Sequence, residues 1–173
     1  MKNIERNTLL EEAIEAWQNA RGGVIAEVEN IPASQTTFRP VEGVRNFAEL
    51  VVHIMEVSMM MVGELCREDT NLRRMPFPKM ISHYAADVQG LRTKSGLINA
   101  LRRTLKHGVK EFRRAGELHM LQRIQRFDGQ LGTRLAWMHH GIDQEMYHRG
   151  QLAIYQRLMG ITPALTKMIR GFE

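Results

Sequence analysis

Apolar residues recur at helical spacing in four long segments, and turn-forming clusters separate them. The first segment opens at "TLLE", where Thr8 can accept backbone N–H bonds and Glu11 can reach back to complete a capping box. It predicts a helix from Thr8 to about Asn30, with Gly22–Gly23 as its weak point. "IPASQTTFRPVEG" then reads as loop, punctuated by Pro32, Pro40 and Gly43. A second helix starts near Asn46, capped in "NFAE", and continues to about Arg67. Phe47, Leu50, Val51, Ile54, Val57, Met61 and Leu65 give it a broad core-facing stripe.

"MPFP" is a break, and Met80 to Leu91 reads as short irregular structure or a partial helix. The third helix spans about Lys94 to Ala115, with Leu97, Leu101, Leu105, Val109 and Phe112 among its inward positions. After Gly116 the alternation in "LHMLQRIQRF" predicts a loop or a short hairpin. Thr133 can cap the fourth helix, which runs to about Met159, and Gly160 stands where a C-cap glycine belongs, with Pro163 just beyond. The tail can add one short helix. Helical patterns without a convincing strand partner predict an all-α bundle, in one domain at 173 residues. Met59 to Met61 then fill the core, since a methionine metal site needs more clustered soft ligands.

Composition narrows the class. The chain is 43% hydrophobic and 25% charged, which is ordinary for a globular protein. The lone Cys66 excludes an internal disulfide and fits a reducing cytoplasm; no motif around it suggests a nucleophile. Acidic residues run through the apolar part of the N-terminus, so it is read as no signal peptide. "LVVHIMEVSMMMVGEL" is interrupted by His53, Glu56 and Glu64 before it could span a bilayer. The net charge of +5 gathers in the third helix, at Arg102, Lys106, Lys110 and Arg113 or Arg114. A solvated face explains it better than nucleic-acid binding, because no reader motif accompanies it.

The fourth helix carries the candidate chemistry. Gln144, His148, Gln151 and Tyr155 fall on one polar stripe. Residues four apart lie about 6 Å apart along the axis, so Gln144 and His148 can reach one ion. His53, on the buried side of the second helix, would close a three-ligand set with a position left open. Two imidazoles and an amide oxygen suit zinc or nickel better than calcium or magnesium. The competing reading is a pair of hydrogen-bonded core histidines. For Gln151 and Tyr155, a bundle-stabilising hydrogen bond is the simpler role.

"FRPVEGVRNFAELVVHI", followed much later by "QEMYHRGQLAIYQRLMGI", resembles the DinB-like (YfiT-like) family of small helical metalloproteins. The resemblance covers nearly the whole chain. It implies a four-helix bundle with a long crossover connection, commonly dimeric. It also implies a metal held by one histidine of the second helix and an H-x-x-x-H pair of the fourth. Those positions fall on His53, Gln144 and His148, so glutamine replaces the middle histidine. An amide oxygen can still coordinate, though more weakly than imidazole. Alternatively Gln144 bonds the two histidines directly in a metal-free pocket. Glu49 is a candidate partner for an imidazole N–H, or simply the capping glutamate. Arg149 is expected to pair with a carboxylate, and Gly150 to permit close helix approach.

The resemblance further implies a small-molecule substrate and an activity of the thiol-transferase type, with bacillithiol or mycothiol as a low-molecular-weight thiol, or of the hydrolase type. Basic residues near the pocket could hold the thiol's carboxylates. The second reading is a non-catalytic binding or stress-response protein that keeps the fold without the metal.

Overall fold

The computed structural model describes residues 7–171. Residues 1–6, part of the stretch read as no signal peptide, lie outside the described residues. Seven helices are described: α1 Leu9–Asn30, α2 Phe47–Leu65, α3 Phe77–Tyr84, α4 Lys94–Ala115, α5 Glu117–Met120, α6 Arg134–Leu158 and α7 Ala164–Arg170. A short antiparallel hairpin, β1 Arg123–Gln125 and β2 Leu131–Thr133, joins α5 to α6. α1 and α2 each pack against both α4 and α6. Sequence neighbours α1 and α2 therefore stand on a diagonal, and the chain between them crosses the end of the bundle. The expected all-α four-helix bundle with a long crossover is what forms.

Local chemistry sets the boundaries. Asn46 and Glu49 close a full capping box at α2, each side chain meeting the other's backbone N–H at 2.9 Å. Thr8 accepts from the Glu11 amide at 3.2 Å, but Glu11's carboxylate is drawn to Arg113, so that box stays half made. Thr133 accepts from the Ala136 amide at 3.0 Å and starts α6. Gly160, at φ +74°, ends it, and the Ile161 amide donates back to the Gln156 carbonyl at 2.8 Å. α3 begins at Phe77, ahead of the expected Met80. Pro78 falls in its first turn, where a missing N–H costs nothing, so the prolines start the helix as well as break the chain.

Gly23 and Gly108 matter through contact. α1 is continuous through Gly22–Gly23. Arg149 lies across Gly23, where an added Cβ would sit 2.3 Å from its guanidinium carbon. Arg149 thus fills a groove on α1, and among the described residues no ion pair to a carboxylate accompanies it. Gly150, expected to allow close approach, has nothing within 4 Å of a Cβ position. The close approach is instead at Gly108, where a Cβ would meet the Trp17 ring at 2.3 Å and Val62 at 2.7 Å. Gly108→Ala is expected to cost about 1–3 kcal/mol through overpacking of rigid core groups, less the helix propensity it gains, as read by chemical denaturation.

The core falls into two apolar clusters. One holds Trp17, Met60, Phe112 and Met138; the other holds Val28, Phe47, Ile54, Leu97 and Leu152. A polar layer separates them, with one member from each long helix: Arg21, Ser58, Thr104 and Glu145. Arg21 donates to Glu145 through Nε at 2.8 Å, to Ser58 at 2.7 Å and to Thr104 at 2.9 Å. Trp17 Nε1 donates to the same carboxylate at 2.6 Å. Lower in the bundle, buried Glu27 accepts from Gln156 at 2.7 Å and from the Ala164 amide at 2.8 Å, which fixes the start of α7.

Much of the basic character of α4 is met by carboxylates. Arg102 pairs with Glu29 at 2.6 Å, Arg113 with Glu11 at 2.9 Å and Arg114 with Glu111 at 2.7 Å. Among the described residues no helix is long and apolar enough to cross a membrane.

Candidate metal centre

The bundle brings together the three residues singled out by spacing. His53 projects from the middle of α2, and Gln144 and His148 sit one turn apart on α6, the helix packed against it. Gln144 Nε2 donates to His53 Nε2 at 3.4 Å. The His53 and His148 rings meet edge to face with centroids 5.0 Å apart. Both are largely enclosed, His148 at 9% and the His53 side chain at 17% exposure.

Each imidazole has an oxygen on its Nδ1 side, and only His148 is hydrogen-bonded to it. His148 Nδ1–H donates to Gln151 Oε1 at 2.7 Å. His53 Nδ1 faces Glu56 Oε2 at 3.8 Å. Of the two roles open to Glu49, the capping one forms, and its carboxylate also takes Arg39 at 3.0 Å. The Gln151 bond leaves the His148 Nε2 as an available lone pair, while the His53 Nε2 accepts from Gln144. Burial, then the charge of Arg45, then His148 push the His53 pKa down to about 4. Burial also lowers His148, against the Gln151 bond that raises it and with Arg45 lowering it further. Both rings are neutral near pH 7, the state a metal or a proton needs to find.

The donor set fits a divalent ion. Two imidazoles bound through nitrogen to one tetrahedral ion place their centroids about 5 Å apart. The third donor is an amide oxygen: Gln144 Oε1 is buried and has no hydrogen-bond partner. Rotation of the amide about its last torsion exchanges its nitrogen and oxygen, which turns that orphan acceptor toward His53. Among the described residues no cluster of three His, Cys, Asp or Glu side chains forms, so the set depends on Gln144. Asp143 and Glu145 do not replace it, and Glu145 is fully engaged by Arg21 and Trp17.

Two clefts open on either side. One, of about 660 Å³, is lined by His148, Gln151, Tyr155, Tyr147, Arg39 and Arg45. The other, of about 390 Å³, is lined by His53, Gln144, Val57, Phe77, Phe127, Trp137 and His140. The Tyr155 hydroxyl donates to the Arg45 carbonyl at 2.9 Å, so Tyr155 is a structural bond at the rim. Gln151 is more than that, because it orients His148.

Sequence reasoning missed Arg45, Glu56 and the aromatic wall. His140 lies about 12 Å up the helix from His148, too far to join it at one ion, and it lines the cleft one turn before Gln144. Phe77 and Phe127 come from the α2–α4 connection and the hairpin, and no local pattern joins them. The Cys66 thiol is pushed up to about 11 by burial and by Glu111.

Comparison with known proteins agrees with this architecture. The DinB-like protein YjoA of Bacillus subtilis is 21% identical, with a TM-score of 0.65 over 87% of this chain and 93% of that one. YfiT of Bacillus subtilis, described as a probable metal-dependent hydrolase with an unusual four-helix bundle topology, is 16% identical, with a TM-score of 0.65 over 94% and 93%. A mycothiol-dependent maleylpyruvate isomerase is 13% identical, with a TM-score of 0.64 over 85% of this chain and 63% of its own. No curated protein matches the sequence. The DinB family profile matches residues 4–171, nearly the full length over which the bundle and its histidines are laid out, and the chain belongs to the DinB family.

Proposed function

We propose that this protein is a metal-dependent enzyme of its family, acting on a small molecule by transfer to a thiol or to water. His53, Gln144 and His148 would hold zinc or nickel between α2 and α6. The observation that carries the reading is the set of donors: two adjacent neutral imidazoles, one oriented by Gln151, beside a buried amide oxygen without a partner. A bound divalent ion supplies Lewis acidity and lowers the pKa of a coordinated thiol or water. The chain's own residues do the rest. Gln151 fixes the His148 tautomer, the Glu56 carboxylate faces His53, and the polar layer around Glu145 holds α6 in rotation so that Gln144 faces α2.

Metal analysis of the untagged protein tests this. About one equivalent of zinc or nickel is expected in the wild type and none in His53→Ala or His148→Ala. No metal after incubation with either ion overturns the reading. Gln144→His, which restores the family pattern, is expected to tighten binding by roughly 10- to 100-fold, measured by competition with a chromophoric chelator. Assays with a low-molecular-weight thiol and without one separate the transferase from the hydrolase.

A metal-free binding protein is the alternative, favoured by the Gln144–His53 hydrogen bond at 3.4 Å, which ties the pocket together without an ion. We also propose a cytoplasmic homodimer. Tyr147, Ile154 and Leu158 on α6 and Met168 on α7 are exposed apolar surface that a second copy would bury. Light scattering is expected to give twice the chain mass, reverting to one chain in Ile154→Asp.

A further inference from the structure

The two clefts flank the histidine pair, one lined by His148 and the other by His53, and they differ in chemistry. In the larger one, Arg39 is already paired with Glu49 at 3.0 Å, and Glu49 is also held by the Asn46 amide. Gln151 is taken by His148. Arg45 stands apart: exposed at the mouth, it has no carboxylate partner among the described residues. Its backbone is pinned by the Tyr155 hydroxyl at 2.9 Å, which fixes the point from which the guanidinium reaches into the cleft. An uncommitted guanidinium in a concave site with no free carboxylate beside it calls for an anion.

The smaller cleft asks for the opposite. Phe77 and Phe127 meet edge to face at 5.8 Å, Phe127 leans on Trp137 at 5.9 Å, and His140 stacks on Trp137 at 4.5 Å. Phe77 is 38% exposed, so this wall faces water although it is built of large rings. Aromatic walls left open in a cleft are a binding surface for apolar groups.

We propose that both clefts serve one substrate, an amphipathic carboxylic acid. Its carboxylate lies against Arg45, its aryl-bearing end lies among Phe77, Phe127 and Trp137, and its central atoms pass His53, Gln144 and His148. The assignment of that centre as the reacting one rests on the metal-enzyme reading; the two anchor points do not.

Isothermal titration of the full chain with ω-phenylalkanoates of increasing chain length, and with the matching primary amides, tests the assignment. Affinity is expected to rise with chain length to an optimum. The amide of the best acid, Arg45→Gln and Phe77→Ala are each expected to lose about tenfold in affinity. Arg102→Gln, which removes the same charge from α4, is expected to leave binding unchanged. Acid and amide binding alike, or wild-type affinity in Arg45→Gln, overturns the proposal. So does an affinity indifferent to chain length, since it makes the clefts separate sites. Repeating the titration with and without zinc distinguishes the two readings. Discrimination that persists in a protein unable to hold zinc overturns only the metal enzyme, and zinc retained without discrimination overturns only the substrate class.

Discussion

Glu145→Gln is expected to cost the fold roughly 3–5 kcal/mol, enough to unfold a marginal domain near body temperature. The carboxylate accepts from Arg21 and from Trp17 Nε1, and neither Arg21 nor Glu145 retains any exposure. Glutamine preserves the shape and loses the charge, so Arg21 is left as an uncompensated buried cation. The neutral partners Ser58 and Thr104 hydrogen-bond it but do not balance it. Equilibrium denaturation in urea reads the loss, and a cost below about 1 kcal/mol would show that the pair is solvated after all. The double replacement Arg21→Met with Glu145→Leu is expected to recover most of the stability, because apolar residues of similar volume often replace a buried pair without penalty. That recovery carries a second readout. Through the polar layer α6 presents Glu145 to α1, and on its adjoining face Gln144 to α2. If the layer sets this rotation, the double variant folds and yet holds zinc more weakly. Unchanged zinc affinity would mean that apolar packing alone sets it.

This layer is also where the sequence was least legible. Arg21 precedes two glycines, and Glu145 sits in "DQEMYHRG", so both look like solvent residues. Buried ion pairs leave no mark in a hydrophobic pattern, because the partners lie on different helices and each alone reads as surface. The long helices were legible for the opposite reason: stripe and cap are both local. Asn46, Thr133 and Gly160 each act within one turn of where they stand, and each does what its residue type predicts. The His53–Gln144–His148 grouping was readable in part. The i,i+4 pair follows from helix geometry alone, whereas His53 joins it only because α2 packs on α6. Glu49 was left open between cap and imidazole because about one turn separates it from both. Geometry gave it to the cap and put Glu56 beside His53. Arg149 and Gly150 were misread for a related reason. Glycine beside arginine suggests a close helix contact, but the gap that Arg149 fills belongs to Gly23 on another helix.

Acid is expected to destabilise the metal-free protein in a window set by the histidines. An unfolded histidine titrates near 6.5, and His53 in the bundle near 4. Above the first value both states are neutral and stability does not depend on this group. Between the two values the unfolded chain binds a proton that the folded chain refuses, so stability falls as pH falls. Below the second both are protonated and the loss levels off. The displacement corresponds to about 3 kcal/mol, with about 2 kcal/mol already gone near pH 5. His148, lowered by the same burial, adds loss in the same direction. Carboxylates held below their ordinary range, such as Glu11 and Glu111, act in the same sense only at more acid pH, so the upper half of the window belongs to the imidazoles. Urea denaturation at stepped pH in the presence of a chelator measures the slope, and His53→Gln is expected to flatten it. Arg45→Gln separates the two leading causes. Burial remains in that variant and the guanidinium's repulsion is gone, so the His53 titration seen by NMR should move upward yet stay below 6.5. An unmoved midpoint would place Arg45 too far away to act on the ring, and a midpoint at 6.5 would mean that burial counts for nothing there.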